Sequence, residues 1–219
     1  MDIFDLIGPV MVGPSSSHTA GAVRIGLVTR KLLGEDVKDA KIELHGSFAA
    51  TAVGHGTDRA LIAGLLGMQT DDERIPESFD HARDAGLSFC FSNCNLRDAH
   101  PNSVRLTVKG INGAQTCVVA ASVGGGRISV RELSGMPLQF AAEYPTIIIQ
   151  NDDQPGSVAD VSRVLAEENI NIGTFQVNRS VRGGDAIMVI ECDAPIEPHI
   201  VEHIRTLSCI RKAVCINPD

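Results

Sequence analysis

Apolar residues recur along this chain first with a helical period and then with a strand period, and the change falls near residue 87. Ala20, Val23, Leu27 and Val28 form a stripe at helical spacing, so a helix is expected from about Ser17 to Gly34, the glycine ending it. Arg24, Arg30 and Lys31 fall on the other side and are expected to stay in water. Lys41-Ile42-Glu43-Leu44-His45-Gly46 alternates as a strand does. A second helix is expected from Thr57 or Asp58 to Leu66, closed by Gly67, and a third from Pro76 to Gly86. From Leu87 onward, residues 87–93, 104–109, 115–123 and 127–133 read as short strands, with Asn112-Gly113 the clearest hairpin signal. Gly124-Gly125-Gly126 joins one strand to the next, which predicts a bulged turn and not a phosphate-binding loop.

A second unit is expected to begin around Phe140–Tyr144. Residues 146–150 read as a buried strand and Asn151-Asp152-Asp153-Gln154 as a loop. Pro155 stands at the first position of a helix running to Glu168 with Val158, Val161, Val164 and Leu165 inward. Strands at 172–178 and 186–192, a helix from Pro198 to Leu207 and a strand at 211–216 complete the order β-α-β-β-α-β. That order is ferredoxin-like. The whole reads as an α+β chain of two domains, an N-terminal α/β domain over residues 1–140 and a second domain over 145–219.

Composition narrows the function. With 19 basic against 27 acidic residues the net charge is −8, and no basic stripe is present to neutralise phosphates or meet a membrane surface. Nucleic acid and membranes are therefore not expected partners. Met1-Asp2-Ile3-Phe4-Asp5 carries acids where a signal peptide carries basic residues, so a soluble, cytoplasmic protein is expected. The six cysteines then read as reduced thiols. Cys90, Cys94 and Cys117 lack the paired spacing of a zinc or iron–sulfur site, and Cys90, within Leu87–Phe91, reads as a small buried filler. No metal ligand is assigned.

The chemistry concentrates in two short stretches. Gly13-Pro14-Ser15-Ser16-Ser17-His18-Thr19 and His55-Gly56-Thr57-Asp58 each set an imidazole and hydroxyls at an expected helix N-terminus. Free backbone N–H groups there attract anions, and two such termini facing one another suit a small carboxylate. His18 and His55, near positive helix ends, are expected to have depressed pKa values and to relay protons as neutral imidazoles. Structural readings stand beside these: Ser16 or Ser17 as a cap, Asp58 as a first-turn acid, His45 as a packed strand residue, and His81, His199 and His203 as surface helix residues.

Asn151-Asp152-Asp153-Gln154-Pro155-Gly156-Ser157 and Glu168-Asn169-Ile170-Asn171-Ile172 resemble an ACT domain, an amino-acid-sensing module. The resemblance implies a regulatory loop of Asn151, Asp152, Gly156 and Ser157, while capping of the helix by Asp153 or Asn151 is the plainer reading. Residues 4–22, His45-Gly46-Ser47-Phe48-Ala49, Gly54–Asp58, His100-Pro101-Asn102 and Gly124–Gly126 resemble the β chain of iron–sulfur-dependent L-serine dehydratase. In that family the first unit is similar to the intervening domain of some 3-phosphoglycerate dehydrogenases. The resemblance implies conversion of L-serine to pyruvate and ammonia, in amino-acid degradation and gluconeogenesis, within a hetero-oligomer whose α chain carries a 4Fe-4S cluster. Dehydration through pyridoxal phosphate is not expected, because Lys31, Lys38, Lys41, Lys109 and Lys212 stand in no glycine-rich phosphate context. The chain would then be half an active site, inactive alone. His18 and His55 would be catalytic; Ser15, Ser16, Ser17, Thr19 and Thr57 would hold the serine carboxylate. Asp58 would orient His55 or an ammonium, and Asn102 would donate from nearby. A non-catalytic amino-acid sensor and an assembly scaffold are the alternatives.

Overall fold

Two glycines let the first helices touch. Gly26 in α1 (Gly21–Leu33) and Gly64 in α3 (Thr57–Leu65) meet backbone to backbone, and a Cβ on Gly64 would come within 2.1 Å of the Val23 carbonyl oxygen. This close crossing is available only without a side chain. A computed structural model describes residues 10–218, and the chain divides into two compact units after Gly135. Each unit is built around its own sheet.

In the first unit, β1 (Val37–Leu44) pairs in parallel with β2 (Ser88–Asn93) and antiparallel with β3 (Ser103–Gly110). β4 (Gln115–Gly124) and β5 (Arg127–Leu133) continue the order β2-β1-β3-β4-β5. The crossover from β1 to β2 holds α2 (Gly46–Thr51), α3, a 3₁₀ turn (Ile75–Glu77) and α4 (Ser78–Asp84). Ala40, Ile42 and Leu44 of β1 align with Val108, Leu106 and Val104 of β3, so one sheet face is apolar and buried. α1 packs on that face, against β3, β4 and β5.

Several expectations are corrected here. The first helix begins at Gly21, not Ser17, because Ser16–Ala20 form a π-helical turn closed by the Gly21 amide on the Ser16 carbonyl. Arg24 is half-buried and donates to the Gly126 carbonyl at 3.2 Å, tying α1 to the glycine turn after β4. Arg30 donates to the Leu65 carbonyl and pairs with Asp36. The short helix α2 was not legible in the apolar period, nor was β6 (Met136–Phe140). Cys90 is exposed, not buried. It alternates with Phe89 and Phe91, whose rings pack against Phe79 of α4 at 5.0 and 6.2 Å, so the thiol is turned to the opposite face. The triple glycine forms the expected bulged turn, with positive φ at all three residues.

The second unit opens with β6. Its four-stranded antiparallel sheet has the order β10-β7-β9-β8, from β7 (Thr146–Asp152), β8 (Ile172–Arg179), β9 (Asp185–Cys192) and β10 (Ile210–Ile216). α5 (Ser157–Glu167) and α6 (Pro198–Arg205) pack with Ile147, Ile149, Met188 and Ile190 into one core. The βαββαβ order is as expected. Pro155 lies outside α5, whose N-cap is Gly156. The inward stripe is therefore Ser157, Val161, Val164 and Leu165, and Val158, one residue round from Ser157, is 44 % exposed instead of buried.

Candidate functional site

The π-helical turn presents its polar side chains to one point. Ser15 caps it, its Oγ accepting the His18 amide at 3.2 Å. The Ser17 hydroxyl lies 3.1 Å from His18 Nδ1, and the Ser15 hydroxyl lies 3.3 Å from that of Ser17. On the other side of the ring, His18 Nε2 lies 3.1 Å from the Ser47 hydroxyl. Ser47 belongs to α2, where Phe48 meets the His18 ring edge-on with centroids 5.4 Å apart. α2 is held in turn by Pro101, whose carbonyl accepts the Ser47 amide at 2.8 Å. Gly46 permits this, since a Cβ there would lie 2.5 Å from that same carbonyl oxygen.

The second stretch comes to meet the first. The Thr19 hydroxyl donates to the His55 carbonyl at 3.3 Å, and the His18 and His55 rings lie 4.9 Å apart at 36°. Beside them a cavity of about 160 Å³ is lined by Gly13, Pro14, Thr19, Gly54, His55 and Arg59. His55 is exposed and His18 half-buried. Burial, and then repulsion from His55, pushes the His18 pKa below its ordinary 6.5. The ring is therefore neutral near pH 7, and with a hydroxyl on each nitrogen it can take a proton on one side and release one on the other.

The remaining residues singled out in the sequence fall as follows. Thr57 is the first residue of α3, fully buried, and its hydroxyl has no partner among the described residues. Ser16 contributes its carbonyl to the π turn. Asp58 Oδ1 accepts the Arg59 amide at 2.8 Å. Asn102 adjoins Pro101; its amide donates to His100 Nδ1 at 3.1 Å and its carbonyl accepts the Ser122 amide. His45 follows β1 and accepts the Leu96 amide at Nδ1. Phe4–Pro9 lie outside the described residues. Ser47 and Phe48 were not assigned to the site from sequence. Their signal was position: a Gly-Ser step at the carboxyl end of a parallel strand, where the crevice of an α/β unit opens.

In the second unit, Asn151 Nδ2 donates to the Asp152 carbonyl, while its buried Oδ1 has no partner among the described residues. Asp152 pairs with Arg211. The Gly183 amide and the Arg179 guanidinium hold the Asp153 carboxyl below its usual range. Ser157 donates to the Gln154 carbonyl at 3.0 Å. Neither Asp153 nor Asn151 caps α5, because Gly156, with φ of 97°, is the N-cap and has no side chain.

Among the described residues no three His, Cys, Asp or Glu side chains converge as a metal site. Burial also raises the Cys94 thiol and lifts that of Cys192 to about 11, which keeps both protonated. None of the described helices is long and apolar enough to cross a membrane.

Residues 2–86, which contain both imidazole-bearing turns and α2, match the family described as serine dehydratase beta chain, and residues 146–209 match the ACT domain. The chain is 42 % identical over 205 residues to the probable L-serine dehydratase, beta chain, of Bacillus subtilis (strain 168), covering 94 % of this chain and 93 % of that one. It is 40 % identical over 194 residues to the L-serine dehydratase, beta chain, of Peptoniphilus asaccharolyticus, covering 88 % and 87 %. The chain belongs to the L-serine dehydratase beta chains. A D-3-phosphoglycerate dehydrogenase of Bacillus subtilis is 29 % identical over 187 residues, covering 84 % of this beta chain and 35 % of the dehydrogenase. The sequence-based expectation of a beta chain ending in an ACT domain therefore holds.

Proposed function

We propose that this beta chain supplies the substrate-holding and proton-handling half of an L-serine ammonia-lyase site, completed by an alpha chain. The reaction removes the Cα proton and the β-hydroxyl of L-serine as water, leaving 2-aminoacrylate. Tautomerisation gives the imine, and hydrolysis gives pyruvate and ammonia. Hydroxide is a poor leaving group, and an iron–sulfur cluster would supply the Lewis acid that draws it off. The described residues do not fit such a cluster: Cys90 is exposed at a sheet edge and no three His, Cys, Asp or Glu side chains converge. We therefore assign the 4Fe-4S cluster to the alpha chain and route no step through this chain's thiols.

What the beta chain's own residues do follows from the observation that carries this reading: His18 is held neutral between Ser17 and Ser47, ring to ring with His55. The exposed His55 ring is the one a substrate can reach. The half-buried His18 ring passes the proton on through a hydroxyl on either nitrogen. In this reading Ser15, Ser17 and Thr19 hold the substrate carboxylate beside the His55 cavity, which Thr19 lines. The ACT unit contributes assembly or amino-acid sensing through the 151–157 loop.

The test is turnover of the reconstituted alpha–beta complex carrying His18→Ala. We expect kcat to fall about 100-fold or more with assembly intact, the range for loss of a general acid–base group. An unchanged maximal rate with an altered serine response would instead make the chain a sensor and overturn the reading. Purified alone, the beta chain is expected to be colourless and inactive.

A further inference from the structure

The first unit has a second and larger cavity, on the sheet face opposite α1. It has a volume of about 420 Å³ and opens between the 95–100 loop and strands β3, β4 and β5. Its floor is hollow because Ala121 and Ser129, paired across β4 and β5, are small. Three arginines line it, Arg97 from the loop and two from the strands. Arg105 comes from β3, where it is half-buried and aligned with Val119. Arg131 comes from a bulge in β5: Glu132 pairs with Val119 and Val130 with Ala120, so Arg131 is the extra residue between them. Arg131 lies two residues beyond Ser129 and so shares its side of the sheet, and the bulge brings Glu132 round to that side as well.

Neither guanidinium has a carboxylate partner among the described residues, in a chain whose 27 acids outnumber its 19 bases. At the rim, Arg97 and Asp98 satisfy one another at 3.5 Å. Glu132 is the remaining carboxylate in the lining, and neither guanidinium is in an ion pair with it. His100 adds a donor: its Nδ1 accepts the Asn102 amide at 3.1 Å, which leaves the proton of the neutral ring on Nε2. Glu43 stands opposite Arg105 across β1 and β3, but its carboxylate is paired with Lys41 at 3.0 Å. A half-buried arginine in no ion pair among the described residues, a second beside it and an imidazole N–H together form a donor set for planar or tetrahedral oxyanions.

We propose that this cavity binds a small metabolite through a carboxylate or phosphate group, with Arg105 and Arg131 as its principal ligands. The site is separate from the His18–His55 junction, and the loop that walls it also carries Pro101, which holds Ser47.

The test is titration of the full chain with inorganic phosphate and, separately, with succinate, at constant ionic strength set by chloride. Calorimetry gives the affinity and amide chemical shifts give the location. Saturable binding by either anion is expected, with shifts centred on residues 96–105 and 129–132. Which of the two binds assigns the group. In Arg105→Gln/Arg131→Gln the affinity is expected to fall about tenfold or more, as befits loss of charge-assisted hydrogen bonds, with the rest of the amide spectrum unchanged. Arg105→Lys should retain part of it. Equal binding to the double variant, shifts centred on residues 13–19 and 55–58, or no saturation by either anion would overturn the proposal. So would protection of this face only by an added alpha chain.

Discussion

Two helix N-termini in this molecule are built alike and furnished differently. α3 and α5 both begin after a glycine in the left-handed region, Gly56 at φ 68° and Gly156 at φ 97°, and neither has a side-chain cap. Each buries one polar atom without a partner among the described residues, Thr57 Oγ1 in the first unit and Asn151 Oδ1 in the second. Around Gly56 stand neutral-capable groups: two imidazoles 4.9 Å apart and the hydroxyls of Ser15, Ser17, Thr19 and Ser47. Around Gly156 stand carboxylates already matched to arginines, Asp152 with Arg211 and Asp153 with Arg179. Backbone geometry alone therefore does not decide what such a junction can do. The first can hold and move a proton near pH 7; the second has its charges tied into the architecture of the unit.

Substituting the serine at each junction sharpens that contrast most. Ser47→Ala in the reconstituted complex removes the hydroxyl from His18 Nε2 and is expected to lower kcat about tenfold, the worth of one functional hydrogen bond, with thermal stability nearly kept. Ser157→Ala removes a hydroxyl that reaches only the Gln154 and Asp152 carbonyls. It is expected to leave kcat unchanged and to cost about 1 kcal/mol in stability, read by denaturant unfolding. A loss of turnover in the second variant equal to that in the first would erase the distinction. A smaller effect is expected from Thr57→Val. The Thr57 hydroxyl is buried and has no partner among the described residues, so an isosteric apolar side chain should leave stability unchanged or raise it by about 1 kcal/mol, measured the same way. A marked destabilisation would show that the hydroxyl has a partner in solution.

Much of this was readable in the chain. The stripe of Ala20, Val23, Leu27 and Val28 revealed α1 and its end at Gly34, because a helix of 13 residues repeats its period often enough to show, but it set the start four residues early, inside the π-helical turn. α2 has only six residues and no period to detect, so although residues 45–49 carried the family resemblance, the contact of Ser47 and Phe48 with His18 emerged only with the fold. The Ser47–His18 contact spans 29 residues, a separation that no local pattern encodes. Cys90 and Val158 went the other way, toward solvent, for reasons of register: which face a strand residue takes depends on its neighbours Phe89 and Phe91, and which side Val158 takes depends on where α5 starts. The two imidazole-bearing turns were legible as turns, but their meeting was a matter of tertiary packing between α1 and α3.

The most direct measurement is a ¹⁵N titration of the His18 and His55 rings in the full chain. Because His18 is depressed in the folded state, its contribution to stability is complete above 6.5 and is lost as pH falls through the folded value. The account predicts that His18 has its titration midpoint below that of an exposed histidine, so that it is less protonated at pH 6.5, and that Ser47→Ala perturbs its Nε2 resonance. A His18 ring that titrates at 6.5 or above and does not respond to Ser47→Ala would contradict it.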